Sequence, residues 1–186
     1  MNIQIHGLGE KRAVVYPLLY LLNQLDGAQL ITDDTAYRRL VPSGVSSIGN
    51  IAVSICAGGI GEAFPAGERT GEYAVTVFDC GGHAVEMGEG DETIWVKRAK
   101  ENGDAPVHAY RVACVDFERP SGQSKAPFVS LSLPLLRRYH RMEAIGRLEA
   151  VPDKASVRAL APMFAEIFNL SEKTVKFMLT KGGAQT

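Results

Sequence analysis

The sequence predicts an α/β protein: one three-layer domain over residues 1–186, built on a mostly parallel, doubly wound sheet, with a helical C-terminal segment at about 154–181. Short runs rich in Val, Ile and Thr recur along the chain, at Met1 to Ile5, Gln29 to Asp33, Ile51 to Cys56 and Tyr73 to Phe78, and such runs bounded by turn residues read as strands. A helical stretch separates the first two. A connection of that length points to parallel pairing through a right-handed crossover. The 186 residues, 46% hydrophobic and 22% charged, suit one ordinary globular core.

Taken in order, Met1 to Ile5 alternates apolar and polar residues as a first strand, and Gly7-Leu8-Gly9 turns the chain into a helix from about Lys11 to Gln24. Val14, Val15, Leu18, Leu19, Leu22 and Leu25 recur at helical spacing. Pro17 predicts a start displaced towards Tyr16, or a kink, because an interior proline removes a hydrogen bond and crowds the preceding turn. Asp26-Gly27 ends the helix. The second strand, Gln29 to Asp33, finishes on Asp33 and Asp34.

An irregular stretch from Tyr37 to Asn50 precedes the third strand, Ile51 to Cys56. The glycine-rich segment Ala57 to Gly71 reads as a loop. Tyr73 to Phe78 is the clearest strand, and it delivers Asp79-Cys80-Gly81-Gly82 to the carboxyl edge of the sheet. Further strands are expected at Thr93 to Lys97, His108 to Phe117 and Phe128 to Leu133, with Pro120 to Lys125 as a mobile loop. Arg137-Arg138-Tyr139-His140-Arg141 reads as the solvated face of a helix that buries Met142, Ile145 and Leu148, or as a grip for phosphate or membrane headgroups. From Ser156 to Leu179 the pattern is helical again, and Gly182 to Thr186 reads as a frayed tail.

With 20 Lys plus Arg against 21 Asp plus Glu, the formal charge of −1 provides no whole-molecule field for polyphosphates or anionic lipids. Cys56, Cys80 and Cys114 are widely spaced and fit no metal pattern. They read as free thiols in a reducing, cytoplasmic compartment. The N-terminus carries no export signal, and Ala13 to Leu22 falls well short of the roughly 20 apolar residues of a bilayer span, so no membrane insertion is expected.

Ligands of open α/β sheets bind beyond the carboxyl ends of the strands. Three features fall there: the loop Gly7-Leu8-Gly9-Glu10-Lys11-Arg12, the pair Asp33 and Asp34, and Asp79. A glycine loop feeding a helix presents backbone N–H groups and the positive end of the helix dipole to an anion. Lys11 and Arg12 add charge there. Asp33 and Asp34 have an ordinary reading too, as a strand-end turn or helix cap. Cys80, close to His83, reads as a core or edge thiol rather than a nucleophile.

Across the first half of the chain this arrangement resembles the ParA/MinD group of P-loop ATPases, which combine a phosphate loop after strand one, an aspartate after strand two and a hydrophobic strand ending in a metal-linked aspartate. Laid on that pattern, Gly7 and Gly9 take the loop glycines, Glu10 takes the catalytic lysine and Lys11 takes the magnesium-binding hydroxyl. Phosphoryl transfer needs both lost groups, one to neutralise the terminal phosphates and one to hold the metal ion. The resemblance therefore implies no catalytic residue and no resident cofactor, with at most weak ATP or ADP binding through Gly7, Gly9, Lys11, Arg12, Asp33 and Asp79. It implies a bacterial-type accessory protein of a membrane-associated machine, acting through protein partners or as a homodimer, with nucleic acid a lesser expectation.

A rival reading comes from the C-terminus. Residues Ala165 to Lys176 resemble the helix-turn-helix of LuxR-type regulators, with Asn169 in the turn, Ser171 capping the second helix, and Lys173, Thr174 and Lys176 facing a major groove. Pro162 predicts an interruption of the first helix.

Overall fold

In the computed structural model, residues 1–7, 10–41, 47–56, 60, 73–80, 88–98, 111–117, 126–148 and 153–181 are described. The alternating residues at the N-terminus form β1 (Asn2–His6), followed by α1 (Arg12–Gln24), β2 (Ala28–Thr32) and a 3-10 turn at Thr35–Arg39. Next come β3 (Ser47–Ile48), β4 (Ile51–Ile55), β5 (Thr76–Asp79), β6 (Glu92–Lys97), β7 (Arg111–Asp116) and β8 (Phe128–Ser130). Three helices follow: α2 (Leu133–Ile145), α3 (Lys154–Phe168) and α4 (Glu172–Lys181).

The strands form one eight-stranded sheet in the order β3-β4-β2-β5-β1-β6-β7-β8. Every pairing is parallel except that of the two-residue β3 with β4. The mostly parallel α/β class expected from the sequence is therefore the class observed. Because successive side chains along a strand point to opposite faces, Ile3, Ile5, Leu30, Val77, Ile94 and Val96 line one face, where they share a core with α1, α2, α3 and α4. Ile31, Phe78 and Cys80 face the other side and form a second, smaller cluster with Ile60.

Several expectations are corrected by tertiary context. β1 and β2 run parallel but are not neighbours, because β5 lies between them, with Val77 in register with both Ile3 and Leu30. A strand buried on both faces belongs at the centre of a sheet, and all four residues of β5 are buried. α1 starts at Arg12 and runs through Pro17. Pro17 falls early in the helix, where it removes only the bond to residue 13, and it is packed among buried neighbours that hold the turn. α3 likewise runs through Pro162.

The last expected strand stops at Ser130, since Ser132 caps α2 by accepting a hydrogen bond from the Leu135 N–H at 3.3 Å. On α2 the buried face is Leu135, Tyr139, Met142 and Glu143; of the expected set Met142 is buried and Leu148, beyond the helix end, packs half-buried against the core. Ile145 is exposed. The C-terminal helical stretch is broken at Asn169, which takes a left-handed conformation with φ 51°, as a helix C-cap favours. The expected loops 57–71 (apart from Ile60) and 120–125, and the tail 182–186, lie outside the described residues.

Candidate functional site

The chain leaves β1 towards β2 on one side of the sheet and returns later to β6 on the other. The carboxyl end of β1 is thus the switch point at which open α/β sheets take ligands. β5 pairs with β1 so that Asp79 lies opposite Ile5, which brings the last side chain of the most buried strand beside the loop that opens α1. Gly7 makes that loop with φ +132°, and a Cβ added there would stand 2.0 Å from the Val96 carbonyl oxygen. Only glycine tolerates both constraints. Gly9 lies outside the described residues.

Lys11 crosses the switch point. Its Nζ stands 2.7 Å from Asp79 Oδ1 and donates to the Cys80 carbonyl at 2.5 Å. The pair is largely withdrawn from water, with side-chain exposures of 15% for Lys11 and 1% for Asp79. Burial raises the Asp79 pKa above its ordinary range, and the Lys11 ammonium opposes that shift. The Tyr37 hydroxyl, buried in the 3-10 turn, lies near enough to Asp79 for each to perturb the other. It has no hydrogen-bond partner of good geometry.

Asp34 performs the capping role open to it from sequence. Its Oδ1 accepts the Ala36 N–H at 2.8 Å, and its own N–H donates to Thr32 Oγ1 at 3.0 Å. Its charge still reaches Asp79 and Tyr37. Burial chiefly raises the Cys56 and Cys80 thiols, and the Asp33 charge adds to both shifts. Gly7, Lys11, Asp33 and Asp79 are thus brought to one edge.

Arg12 is directed elsewhere. Its Nε meets Glu10 Oε1 at 2.8 Å, and its Nη1 meets Glu143 Oε1 at 2.8 Å. Tyr16 donates its hydroxyl to the same Glu143 oxygen at 2.6 Å, and the Tyr16 ring packs edge-on against Tyr37 and Tyr139. Burial alone would lower the Arg12 pKa, but hydrogen bonds and charge from Glu10 and Glu143 outweigh it and raise the value. Burial, then Glu143, drives the Tyr16 pKa upward.

Sequence reasoning missed Glu143, Tyr16 and Tyr37. The available signal was weak: Glu143 follows Tyr139 by four positions and so shares its helix face, and Tyr16 sits within the apolar run of α1.

A cavity of about 420 Å³ is lined by Glu10, Arg98, Val115, Asp116, Leu131 and Leu136. A phosphate entering here would meet the carboxylates of Glu10 and Asp116 as well as the Arg98 guanidinium. Cys80 is buried, with its pKa pushed up to about 12, chiefly by burial and then by Asp79. An unperturbed thiol would titrate near 8.5, so Cys80 is poorly placed to supply a thiolate nucleophile. Among the described residues no group of three or more His, Cys, Asp or Glu side chains could hold a metal ion.

Asp79, which stands where the resemblance has its metal-linked aspartate, is engaged by Lys11, and Glu10 is paired with Arg12.

The helix-turn-helix candidates lie on α4. Ser171 caps that helix by accepting the Thr174 N–H at 3.0 Å, and the two hydroxyls share a hydrogen bond at 2.7 Å. Lys176 pairs with Glu172. Lys173 is exposed. Val175 and Leu179 are buried in the main core, and the Gln24 side chain of α1 donates to the Met178 carbonyl at 3.1 Å. The hairpin is part of the α/β body rather than a separate unit.

No helix among the described residues is long and apolar enough to cross a membrane. Compared with protein-family profiles, curated proteins and solved structures, the chain finds no match.

Proposed function

We propose that this chain is a non-hydrolytic, ParA/MinD-like accessory or scaffold protein that helps to position or regulate a bacterial membrane-associated assembly through protein–protein contacts. The observation that carries this reading is the Lys11–Asp79 ion pair at 2.7 Å. Where a phosphoryl-transfer enzyme keeps an aspartate available to a metal ion, this chain supplies an ammonium group of its own, and the arginine beside it is bound to two carboxylates. Asp79 thereby has a counter-ion within the chain itself, and an aspartate engaged in that way suits a scaffold rather than a metal-dependent catalyst.

The test pairs two measurements. Phosphate release from ATP with magnesium should not exceed that of a buffer blank, and crosslinking in cells should recover a component of a membrane-associated assembly with the same yield from the Lys11→Met chain if that chain folds. Magnesium-dependent turnover, or recovery of no such component, overturns the proposal.

A further inference from the structure

The cavity of about 420 Å³ lies where three adjacent parallel strands, β6, β7 and β8, come to an end. Arg98 follows β6, Asp116 ends β7 and Leu131 follows β8. Val115 and Leu131 are buried in the main core, and Leu136 of α2 packs against it, so these three give the cavity an aliphatic lining. The Leu131 N–H donates to the Asp116 carbonyl at 2.9 Å. The β7–β8 ladder thus continues into the lining and holds those two residues in register before any ligand arrives. An apolar cavity of this size with a few polar groups, at the carboxyl ends of the strands of an α/β sheet, has the features of a small-molecule site.

The ionic groups in the lining select the ligand. Glu10 already meets the Arg12 guanidinium through both of its oxygens, at 2.8 and 3.4 Å. Asp116 Oδ1 accepts the Phe117 N–H at 2.7 Å, and the second oxygen of a carboxylate carries further acceptor sites. Arg98 is exposed, and the five N–H donors of a guanidinium can serve a ligand beside any partner within the chain. A polyphosphate would face more negative than positive charge here. A simple amine would face the guanidinium, and a purely apolar molecule would strip water from the ionic groups without replacing it. A molecule that carries one charge of each sign on an apolar body meets all three demands.

We infer that this cavity binds a free α-amino acid with an aliphatic or aromatic side chain, its ammonium group at Asp116, its carboxylate at Arg98 and its side chain against Val115, Leu131 and Leu136. The non-hydrolytic reading rests on Lys11 and Asp79 instead, so ATP turnover would overturn that reading and leave this one standing.

Equilibrium dialysis of the whole chain against radiolabelled L-leucine and L-phenylalanine tests it. At least one of the two should be retained with a Kd below about 1 mM. Glycine, which lacks the apolar body, should bind at least about tenfold more weakly than the retained amino acid. Its N-acetyl and amide derivatives each lack one charge and should also lose about tenfold. Asp116→Asn keeps an oxygen for the Phe117 N–H and should abolish the preference over the N-acetyl form, whereas Arg98→Gln should abolish the preference over the amide. A residue that only supports the fold would not produce this crossed pattern. Circular dichroism should find both variants folded, and the analogue series on the parent chain stands without them.

Retention of neither amino acid at about 1 mM overturns the inference, as does glycine binding as tightly as the larger ligands, or a loss that is equal for every analogue in both variants. Tighter binding of the doubly blocked N-acetyl amide than of the free amino acid would assign the cavity to a peptide segment of a partner and overturn it likewise.

Discussion

Arg12 and Glu143 stand 131 positions apart in the chain, yet their side chains meet at 2.8 Å, with Glu143 almost fully withdrawn from water. This contact fastens the last long helix before the C-terminal hairpin to the first turn of α1. Tyr16 completes it by donating to the same oxygen.

The fastening predicts a coupled response to mutation. Tyr16→Phe removes one charge-assisted hydrogen bond and should cost about 2 kcal/mol, and Glu143→Gln should cost about 3 kcal/mol. Because both act on one network, the double variant should fall short of the sum by about 1 kcal/mol. Urea unfolding of the four chains measures this, and strict additivity would show that the two contacts are independent.

Lys11→Met should destabilise the fold by about 3–5 kcal/mol near neutral pH, since it leaves the buried Asp79 carboxylate without its partner. The pH dependence has a definite sign. Asp79 has a folded-state pKa raised above its ordinary 3.8, so the folded chain holds the proton more tightly than the unfolded one. That contribution makes stability fall as pH rises from about 3.8 through the folded value, and level off above it. Removing the Lys11 cation widens this window upward, so the variant's deficit should shrink on acidification. A deficit independent of pH would contradict the assigned pairing.

The thiols should separate by accessibility. With its pKa near 12, Cys80 offers about one thiolate in ten thousand at pH 8, and both Cys80 and Cys114 are buried. A disulfide reagent at pH 8 should titrate Cys56 first in the native protein and reach the other two only in denaturant. Rapid modification of Cys80 in the folded chain would show that its pocket opens readily.

Gly7→Ala should be among the most damaging single changes. It imposes a side chain at φ +132° and drives a Cβ to 2.0 Å from the Val96 carbonyl oxygen, so a loss of at least about 3 kcal/mol is expected. Thermal unfolding would check it, and a change in melting temperature of only a degree or two would mean that the β1–α1 loop has room to rearrange.

Local pattern carried much of the fold. Period-two runs marked most of the strands, and helical spacing marked α1 despite Pro17. Order in the sheet was not legible, because the place of β5 between β1 and β2 is decided by burial on both faces and leaves no mark in either flanking sequence. α2 illustrates a second limit. A periodicity that counts only apolar residues placed Ile145 inside, whereas an ion pair with a distant arginine rotated Glu143 inward. The convergence of Gly7, Lys11 and Asp79 could be anticipated, since all three lie at carboxyl ends of strands. The use of Lys11 as Asp79's own counter-ion could not, because it depends on which strand neighbours β1.

The position of β5 also bears on how the chain comes into being on the ribosome. Residues 1–32 emerge with two strands that have no ladder to share, and the strand that joins them arrives only with Thr76–Asp79. Until then β4 can pair with one edge of β2, but both edges of β1 and the other edge of β2 have no partner strand. A product truncated anywhere before Asp79 should therefore be found in aggregates or in the hands of chaperones, while the same strands in the finished chain are closed to such partners.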